Sequence, residues 1–105
     1  MMEQKKIFLC CGAGMSSGFL AQQTRKAIKK NKVDVTVEAR SESEVQQYIN
    51  GIDIILLGPH YDFRKDSFKE MAEPHGVKVD VIPEEIYSTL DGQGLLEFAL
   101  EALKG

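Results

Sequence analysis

Cys11 is the residue of this sequence best suited to covalent chemistry, because a short apolar run leads into it and a glycine-rich loop follows it. A cysteine thiolate is a nucleophile that forms covalent intermediates. The backbone amides of a glycine-rich turn that opens a helix bind phosphoryl oxygens, and the helix dipole favours their negative charge. We therefore predict that Cys11 accepts a phosphoryl group within a cradle formed by Gly12, Ala13, Gly14, Met15, Ser16 and Ser17.

The two glycines and the two serines give this loop its expected properties. Gly12 and Gly14 allow positive φ angles and a close approach of the backbone to a ligand. The hydroxyls of Ser16 and Ser17 either cap the following helix or donate to phosphoryl oxygens. The same positive field favours the thiolate form of the cysteine.

Cys10 and Cys11 are the only cysteines of the chain, and adjacent cysteines fit the geometry of a disulfide badly. A zinc site is not expected, because His60 and His75 lie far away without ligand spacing. We expect no metal and no cofactor. Cys10 still belongs to the apolar run and is expected to pack in the core, which leaves Cys11 as the nucleophile. The alternative, in which both cysteines are core residues and the loop is an ordinary turn, stays open at this point.

Strand and helix signals alternate along the chain, which predicts an α/β fold in a single domain over residues 1–105. Four strands are expected, with apolar runs at 7–10 and 52–57 and alternating patterns at 33–37 and 77–82. The right-handed crossover rule makes such an alternation a four-stranded parallel sheet with helices on both faces. We predict the flavodoxin-like strand order 2-1-3-4. Its switch point then lies at the carboxyl ends of strands 1 and 3, where Cys11 is placed.

Helices are expected at 17–31, from Ser41 or Ser43 to Ile49, from Phe63 to His75, and after Asp91. Gly76 is the expected C-terminal cap residue of the third of these helices. Phe63, Phe68 and Phe98 are assigned to the core. Met15 is left with two interpretations, an exposed contact at the tip of the loop or a residue tucked beneath it.

Residues outside the loop have weaker functional signals. His60 and Tyr61 follow the third strand and are interpreted as possible rim residues of the site. His75, near a helix C-terminus, is interpreted as structural. A basic helix face is interpreted as solvated, with docking to an acidic partner as the alternative; it comprises Arg25, Lys26, Lys29, Lys30 and Lys32.

The composition is that of an ordinary globular protein, with 43% apolar and 28% charged residues. The formal net charge of −3 gives no reason to expect nucleic acid as a partner. No apolar run approaches the roughly 20 residues that span a bilayer. The first six residues do not form a signal peptide, so a cytoplasmic location is expected.

Cysteine phosphatases resemble this loop superficially, but they place an arginine six residues after the cysteine. Here that position is Ser17, and the nearest downstream arginine is Arg25, two turns into the helix. No Asp-Pro pair is present to act as a general acid. Such a site holds a phosphocysteine without speeding its hydrolysis, which is typical of a carrier. A low-molecular-weight cysteine phosphatase-like or arsenate-reducing enzyme and a non-covalent anion-binding module remain as alternatives.

The loop Cys11 to Ser16, following a short apolar strand, resembles the active-site loop of IIB proteins of the bacterial sugar phosphotransferase system (PTS). The lactose/cellobiose-type family is the match, and within it the cellobiose/chitobiose (β-glucoside) branch. The likeness extends over nearly the whole chain. It includes the third strand with its exit at 54–59 and the final part at 79–92.

This resemblance implies a mechanism and partners. A phosphohistidine of the IIA protein donates its phosphoryl group to Cys11, and the phosphocysteine passes it to a sugar held by the membrane permease IIC. Membrane association is expected only through IIC. One departure from the pattern is visible at His60, where glutamine is expected in similar proteins, so a fixed role for that position is in doubt.

Overall fold

The computed structural model describes residues 5–10 and 15–104, and in the first helix it describes side chains from Gly18 onward. Four strands and five α-helices alternate. The strands are β1 (Lys5–Cys10), β2 (Val35–Ala39), β3 (Ile54–Leu57) and β4 (Lys78–Val81). The helices are α1 (Met15–Asn31), α2 (Glu42–Tyr48), α3 (Lys65–Ala72), α4 (Glu84–Ser88) and α5 (Gly92–Lys104). Short 3-10 turns cover Ile49–Gly51, Pro59–Arg64 and Glu73–His75.

The strands form one parallel sheet in the order β2-β1-β3-β4, as predicted. In register, Leu9 lies opposite Ala39 on one side and Leu56 on the other. The central strands are buried almost throughout, which explains why their sequences are apolar without alternation. The first crossover places β2 outside β1, and the chain then crosses to β3 on the other side. The switch point therefore lies between β1 and β3.

Two hydrophobic clusters fill the two faces of the sheet because successive strand residues point to opposite sides. Ile7 and Leu9 contribute to the cluster beneath α1 and α5, whereas Phe8 and Cys10 contribute to the cluster beneath α2 and α3. The same alternation holds along β3. The prediction of helices on both faces is confirmed.

Local sequence signals fix several element ends. Ser41 is the N-cap of α2 and forms a complete capping box with Glu44, whose carboxylate accepts the Ser41 backbone N–H at 3.2 Å. Asp91 caps α5 by accepting the Gly94 backbone N–H at 2.9 Å. Gly76 ends the turn after α3 with φ of 70°, a left-handed conformation that favours glycine. The structure selects Ser41 over Ser43 as the cap of α2 and confirms that Asp91 opens the last helix. Gly76 has the expected left-handed conformation, but it ends the 3-10 turn Glu73–His75 and not α3 itself.

The helix α1 begins two residues before the predicted start, at Met15. Met15 is therefore in the first turn of a helix and not at the tip of a loop, which corrects one of its two interpretations. Its side chain lies outside the described part. The strand β3 begins at Ile54, two residues later than predicted.

The prediction of one helix from Phe63 to His75 is wrong at both ends. Pro59 starts a 3-10 turn that runs to Arg64, and α3 occupies only the middle of the predicted span. Phe63 falls in the turn and is 73% exposed, so its assignment to the core is also wrong. Phe68 is buried on α3, and Phe98 packs partly buried against the α1–α5 cluster, as expected.

Helices α1 and α5 pack against each other over the same face of the sheet, and Gly92 marks their closest approach. A Cβ atom built on Gly92 would lie 2.2 Å from the backbone carbon of Gln23 and 2.6 Å from the backbone nitrogen of Thr24. Only a residue without a side chain fits there. The helix that starts at the cysteine loop is therefore fixed in place by the last helix of the fold.

Candidate active site

The exits of β1 and β3 meet at the carboxyl edge of the sheet. Cys10 pairs with Leu57 in register, and the backbone N–H of Gly58 donates to the carbonyl oxygen of Cys10 at 3.1 Å. This hydrogen bond holds the segment after β3 beside the point where Cys11 follows β1. The crevice expected at a switch point therefore coincides with the end of β1, where the sequence predicts the phosphoryl chemistry.

Cys10 is completely buried on the α2–α3 side of the sheet. Its neighbours there include Leu57 and Phe68. A phosphoryl donor has no access to a fully buried thiol, so the prediction that Cys10 is a core residue is confirmed.

The helix α1 starts four residues after Cys11 and has no acidic residue in its first turn. Its N-terminal dipole is therefore not neutralised by a carboxylate of its own first turn, a condition that favours anion binding at this end. The backbone of Cys11, Gly12, Ala13 and Gly14 lies outside the described residues, as do the side chains of Met15, Ser16 and Ser17. The roles predicted for these seven residues stay predictions.

Glu42, the first residue of α2, connects two of the segments that surround this edge. Its carboxylate accepts a hydrogen bond of 3.1 Å from the Tyr61 hydroxyl and pairs with the guanidinium of Arg64. The Tyr61 ring also packs edge-on against Phe63 and Phe68. Tyr61 therefore tightens the β3 exit against α2, a role that the sequence did not reveal because its partners are distant along the chain.

Burial raises the pKa of Tyr61, and the hydrogen bond to Glu42 and the charge of that carboxylate raise it further. Tyr61 is consequently a neutral hydrogen-bond donor at neutral pH. Its hydroxyl is directed to Glu42, so the structure supports a positioning role for Tyr61 behind the rim.

His60 is exposed in the turn that follows β3, and its interpretation as a rim residue of the site stays a prediction. Its ring lies 5.4 Å from that of Tyr87 on α4, centroid to centroid. The pair joins the β3 exit to the segment that follows β4. His75 is also exposed, in the turn after α3.

Each of the three arginines of the chain is held by a partner. The Nε atom of Arg25 donates to the carbonyl oxygen of Val37 at 3.1 Å. The other two form ion pairs, Arg40 with Glu38 and Glu44, and Arg64 with Glu42. Arg40 and Arg64 are thus neutralised by carboxylates, and Arg25 lies ten residues into α1, about 15 Å from its N-terminus along the helix axis, in contrast to the arginine that clamps the phosphoryl group in cysteine phosphatases. Within the described ranges, no group of three or more His, Cys, Asp or Glu side chains is placed to hold a metal ion.

Comparison with protein families identifies the family of this chain. The model of the family described as "PTS system, Lactose/Cellobiose specific IIB subunit" matches residues 6–98. The chain belongs to this family. As a IIB protein, it is a phosphotransferase component of a sugar phosphotransferase system.

Curated proteins that are similar to this chain are also named as components of a PTS. The galactose-specific EIIB component of Lactococcus lactis subsp. cremoris is 34% identical over 103 residues, covering 93% of this chain and 95% of the relative. The cellobiose-specific EIIB component of Lactococcus lactis subsp. lactis matches with the same identity and the same coverage. The lactose-specific EIICB component of Lacticaseibacillus casei is 24% identical over 88 residues, which cover 84% of this chain but 15% of that longer protein.

The fold is shared with solved IIB structures. The lactose-specific IIB domain of Streptococcus pneumoniae superimposes with a TM-score of 0.86 at 20% identity, covering 95% of this chain and 98% of that chain. The flavodoxin-like arrangement predicted from the sequence is therefore the arrangement of this IIB family. No helix in the described part of the chain is long and apolar enough to cross a bilayer.

Proposed function

We propose that this IIB protein is a cytoplasmic phosphocarrier for the uptake of a β-glucoside such as cellobiose or chitobiose, with Cys11 as the residue that carries the phosphoryl group. The burial of Cys10 is the main observation that supports Cys11 over Cys10 as the carrier. Cys10 is completely buried, whereas the next residue follows β1 at the carboxyl edge, where the β3 exit and the start of α1 converge.

Two in-line transfers make up the proposed reaction. In the first, the thiolate of Cys11 attacks the phosphorus of the phosphohistidine on IIA, so a P–S bond forms as the P–N bond breaks. In the second, a sugar hydroxyl attacks the phosphorus, the P–S bond breaks, and the hydroxyl proton is released. The activity is that of a protein-N(pi)-phosphohistidine–sugar phosphotransferase, in which catalysis is mainly positioning and charge stabilisation.

The proposed cradle consists of the loop amides and the first turn of α1, namely Gly12, Ala13, Gly14, Met15, Ser16 and Ser17. The unneutralised N-terminus of α1 supports binding of the doubly charged group. The Glu42–Tyr61 hydrogen bond steadies the β3 exit beside it. His60 is proposed as a contact for the partner proteins at the rim.

The commitment of all three arginines supports a carrier over the alternative, a low-molecular-weight cysteine phosphatase-like hydrolase. A hydrolase needs donors that stabilise the transition state of water attack. A carrier needs the phosphocysteine to survive until the sugar arrives. The fusion named in the EIICB relative supports IIC as the partner of the second transfer.

Intact-mass spectrometry tests the first transfer. The protein is incubated with phosphoenolpyruvate, the general PTS phosphotransfer proteins and a cognate IIA, and one added phosphoryl group is expected. The Cys11→Ser variant is expected to remain unmodified. Phosphorylation of Cys11→Ser would overturn the site assignment.

Cys10→Ala is the matched control, because alanine leaves no hydroxyl to be satisfied in the core. We expect it to accept the phosphoryl group. Turnover of an aryl phosphate by the wild-type protein would support the hydrolase instead. Adding membranes that contain IIC together with galactose, cellobiose or chitobiose then identifies the sugar by loss of the label from the protein.

A further inference from the structure

Lysine side chains crowd the exposed face of α1, and acidic residues are missing from it. Seven of the 13 Lys and Arg residues, but only one of the 16 Asp and Glu residues, fall within the first 33 positions of the sequence. The 17 residues of α1 contain no acidic residue at all. The chain thus combines a strongly basic helix with an otherwise acidic surface, although its net charge is only −3.

Four of these lysines have no carboxylate to neutralise them. No described Asp or Glu oxygen lies within 4.0 Å of Lys26, Lys29, Lys30 or Lys32, whereas five other cations of the chain do form such pairs. All four side chains are exposed. Holding unpaired like charges on consecutive turns costs stability by mutual repulsion, and an anionic surface outside the chain relieves that repulsion.

Phe19 extends the same face toward the N-terminus of α1. It lies seven residues before Lys26 on the helix, so both are on one side, and it is 56% exposed. Phe19 therefore adds an exposed apolar side chain to the N-terminal end of the lysine-bearing face. The basic face is defined as Phe19, Lys26, Lys29 and Lys30 of α1 together with Lys32, which directly follows the helix.

We propose that the basic face of α1 docks directly on an anionic lipid bilayer surface, in addition to any contact that the protein makes with IIC. Lysines near an anionic leaflet contribute about 1 kcal/mol each, which is roughly a fivefold change in partition per residue. The proposal stands on the charges of α1 and does not depend on the chemistry of Cys11.

The kind of cation favours lipid over an acidic protein. Protein–protein interfaces are depleted in lysine and enriched in arginine, because the planar guanidinium forms directed hydrogen bonds. The cations of the basic face are all lysines, and the one arginine of α1, Arg25, already donates to the carbonyl oxygen of Val37. Point charges on flexible stems suit a diffuse layer of lipid headgroups.

The surroundings of α1 set the tilt of the docked domain. On one side, α5 carries the exposed acidic residues Glu97 and Glu101, which an anionic surface repels. On the other side, the groove between α1 and the edge strand β2 is lined by three cations, Lys6, Arg25 and Lys29, and by one acid, Glu38, which is paired with Arg40. The domain is therefore expected to lean toward its β2 edge, with α1 lying along the bilayer.

This orientation suits transfer to a sugar in a membrane protein. With α1 flat on the bilayer, the N-terminal end of the helix at Met15 lies at the height of the membrane surface. Lys26 and the start of the helix at Met15 are separated by roughly 17 Å along the helix axis, at about 1.5 Å per residue. Docking thus presents the carboxyl edge of the sheet sideways, toward a neighbour embedded in the same membrane.

Vesicle sedimentation tests the proposal with the full chain. We expect binding to vesicles of phosphatidylcholine with about one third phosphatidylglycerol, little binding to pure phosphatidylcholine, and loss of binding in about 0.5 M salt because the interaction is screened. The triple variant Lys26→Gln, Lys29→Gln, Lys30→Gln is expected to bind about 100-fold more weakly.

A matched triple variant controls for net charge. Lys65→Gln, Lys69→Gln, Lys104→Gln removes the same charge from α3 and α5 and is expected to retain most of the binding. Phe19→Ala is expected to weaken binding by less than tenfold and to leave its dependence on salt unchanged. Circular dichroism of each variant verifies that it is folded.

Several outcomes would overturn the proposal. They are equal binding to neutral vesicles, equal losses in the two triple variants, and binding to polyglutamate without binding to anionic vesicles, which would favour an acidic protein partner. Failure of the proposed phosphocarrier function would appear separately, because the Cys11→Ser variant is expected to bind vesicles like the wild type while accepting no phosphoryl group.

Discussion

The contact of α5 with α1 at Gly92 provides the sharpest test of the packing. Replacing Gly92 by alanine places a methyl group 2.2 Å from the backbone carbon and 2.3 Å from the backbone oxygen of Gln23. Carbon atoms pack favourably at about 3.5 to 4.0 Å, so the two helices must separate locally by roughly 1 Å or more. Backbone atoms have no rotamer by which to move aside.

The size of the effect follows from what the separation disturbs. Thr24 on α1 and Leu95 and Leu96 on α5 are completely buried or nearly so, and they lie within a turn of the contact. Overpacking of a filled core costs about 1–3 kcal/mol, and we expect the Gly92→Ala variant to lose about 2–3 kcal/mol. For a domain of this size the melting temperature then falls by about 10–20 °C. Little helix propensity is gained in return, because Gly92 is the first residue of its helix.

Thermal and urea denaturation followed by circular dichroism measure this loss. Gly18→Ala is the control, since no atom of the residues that the structure describes, apart from its own helix backbone and chain neighbours, lies within 4 Å of a Cβ built on Gly18 in α1. We expect that variant to gain about 0.5–1 kcal/mol from helix propensity. A Gly92→Ala protein with a stability within about 0.5 kcal/mol of the wild type would refute the reasoning.

Three further substitutions address the edges of the fold. The hydrogen bond that the Ser41 backbone donates lowers the pKa of Glu44 in the folded state. The stability that ionised Glu44 contributes is therefore present above a pH of about 4.3 and is lost as the pH falls through the lower pKa of the folded state. In urea titrations at acidic pH, the stabilities of wild type and Glu44→Gln are expected to converge. Tyr61→Phe loses the hydrogen bond to Glu42 and about 1 kcal/mol. Because folding raises the pKa of Tyr61, the wild type also loses stability as the pH rises above about 10, and the variant is expected to lose less. Lys78→Met removes the ammonium group that donates to the carbonyl oxygen of Ala102 at 2.7 Å near the end of α5, at an expected cost of about 0.5–1 kcal/mol.

Each of these expectations has a result that contradicts it. A constant stability difference between wild type and Glu44→Gln from pH 7 to pH 3 would show that the capping carboxylate is not stabilised in its ionised form. Identical alkaline stability of wild type and Tyr61→Phe would rule out the raised pKa of Tyr61. For Lys78→Met, the control is Lys69→Met on the exposed side of α3. Equal losses of stability in the two variants would argue against a stabilising hydrogen bond from Lys78 to the end of α5.

The sequence was sufficient for the sheet and insufficient for the contacts between its loops. The order of the strands follows from alternation and handedness, which are properties of the chain as a whole, and the caps at Ser41 and Asp91 are signalled within four residues. The Glu42–Arg64 pair joins residues 22 positions apart, and no local pattern indicates it. Phe63 was assigned to the core because aromatic residues usually are buried there, but the tight turn started by Pro59 carries it to the surface.

The candidate site likewise has features that the sequence predicts and contacts that only the fold reveals. Burial of Cys10 was predictable, because it ends a run that is apolar on both faces of a central strand. The position of His60 at the edge was predictable from the strand that precedes it. Its contact with Tyr87 was not, since only the fold brings α4 to the β3 exit.

The close crossing at Gly92 has a consequence for the order in which the protein becomes functional. Residues 11–14 leave the ribosome before α5, but α1 is held in place by α5, which is made about 75 residues after the start of α1. Until then, Leu20, Ala21 and Ala27 lack the part of the core that α5 supplies through Leu95, Leu96 and Ala99. A nascent chain that stops before Gly92 thus has the proposed nucleophile, Cys11, but lacks the helix that holds α1 in place. Synthesis of α5 is therefore the step at which the protein is expected to become competent to accept a phosphoryl group.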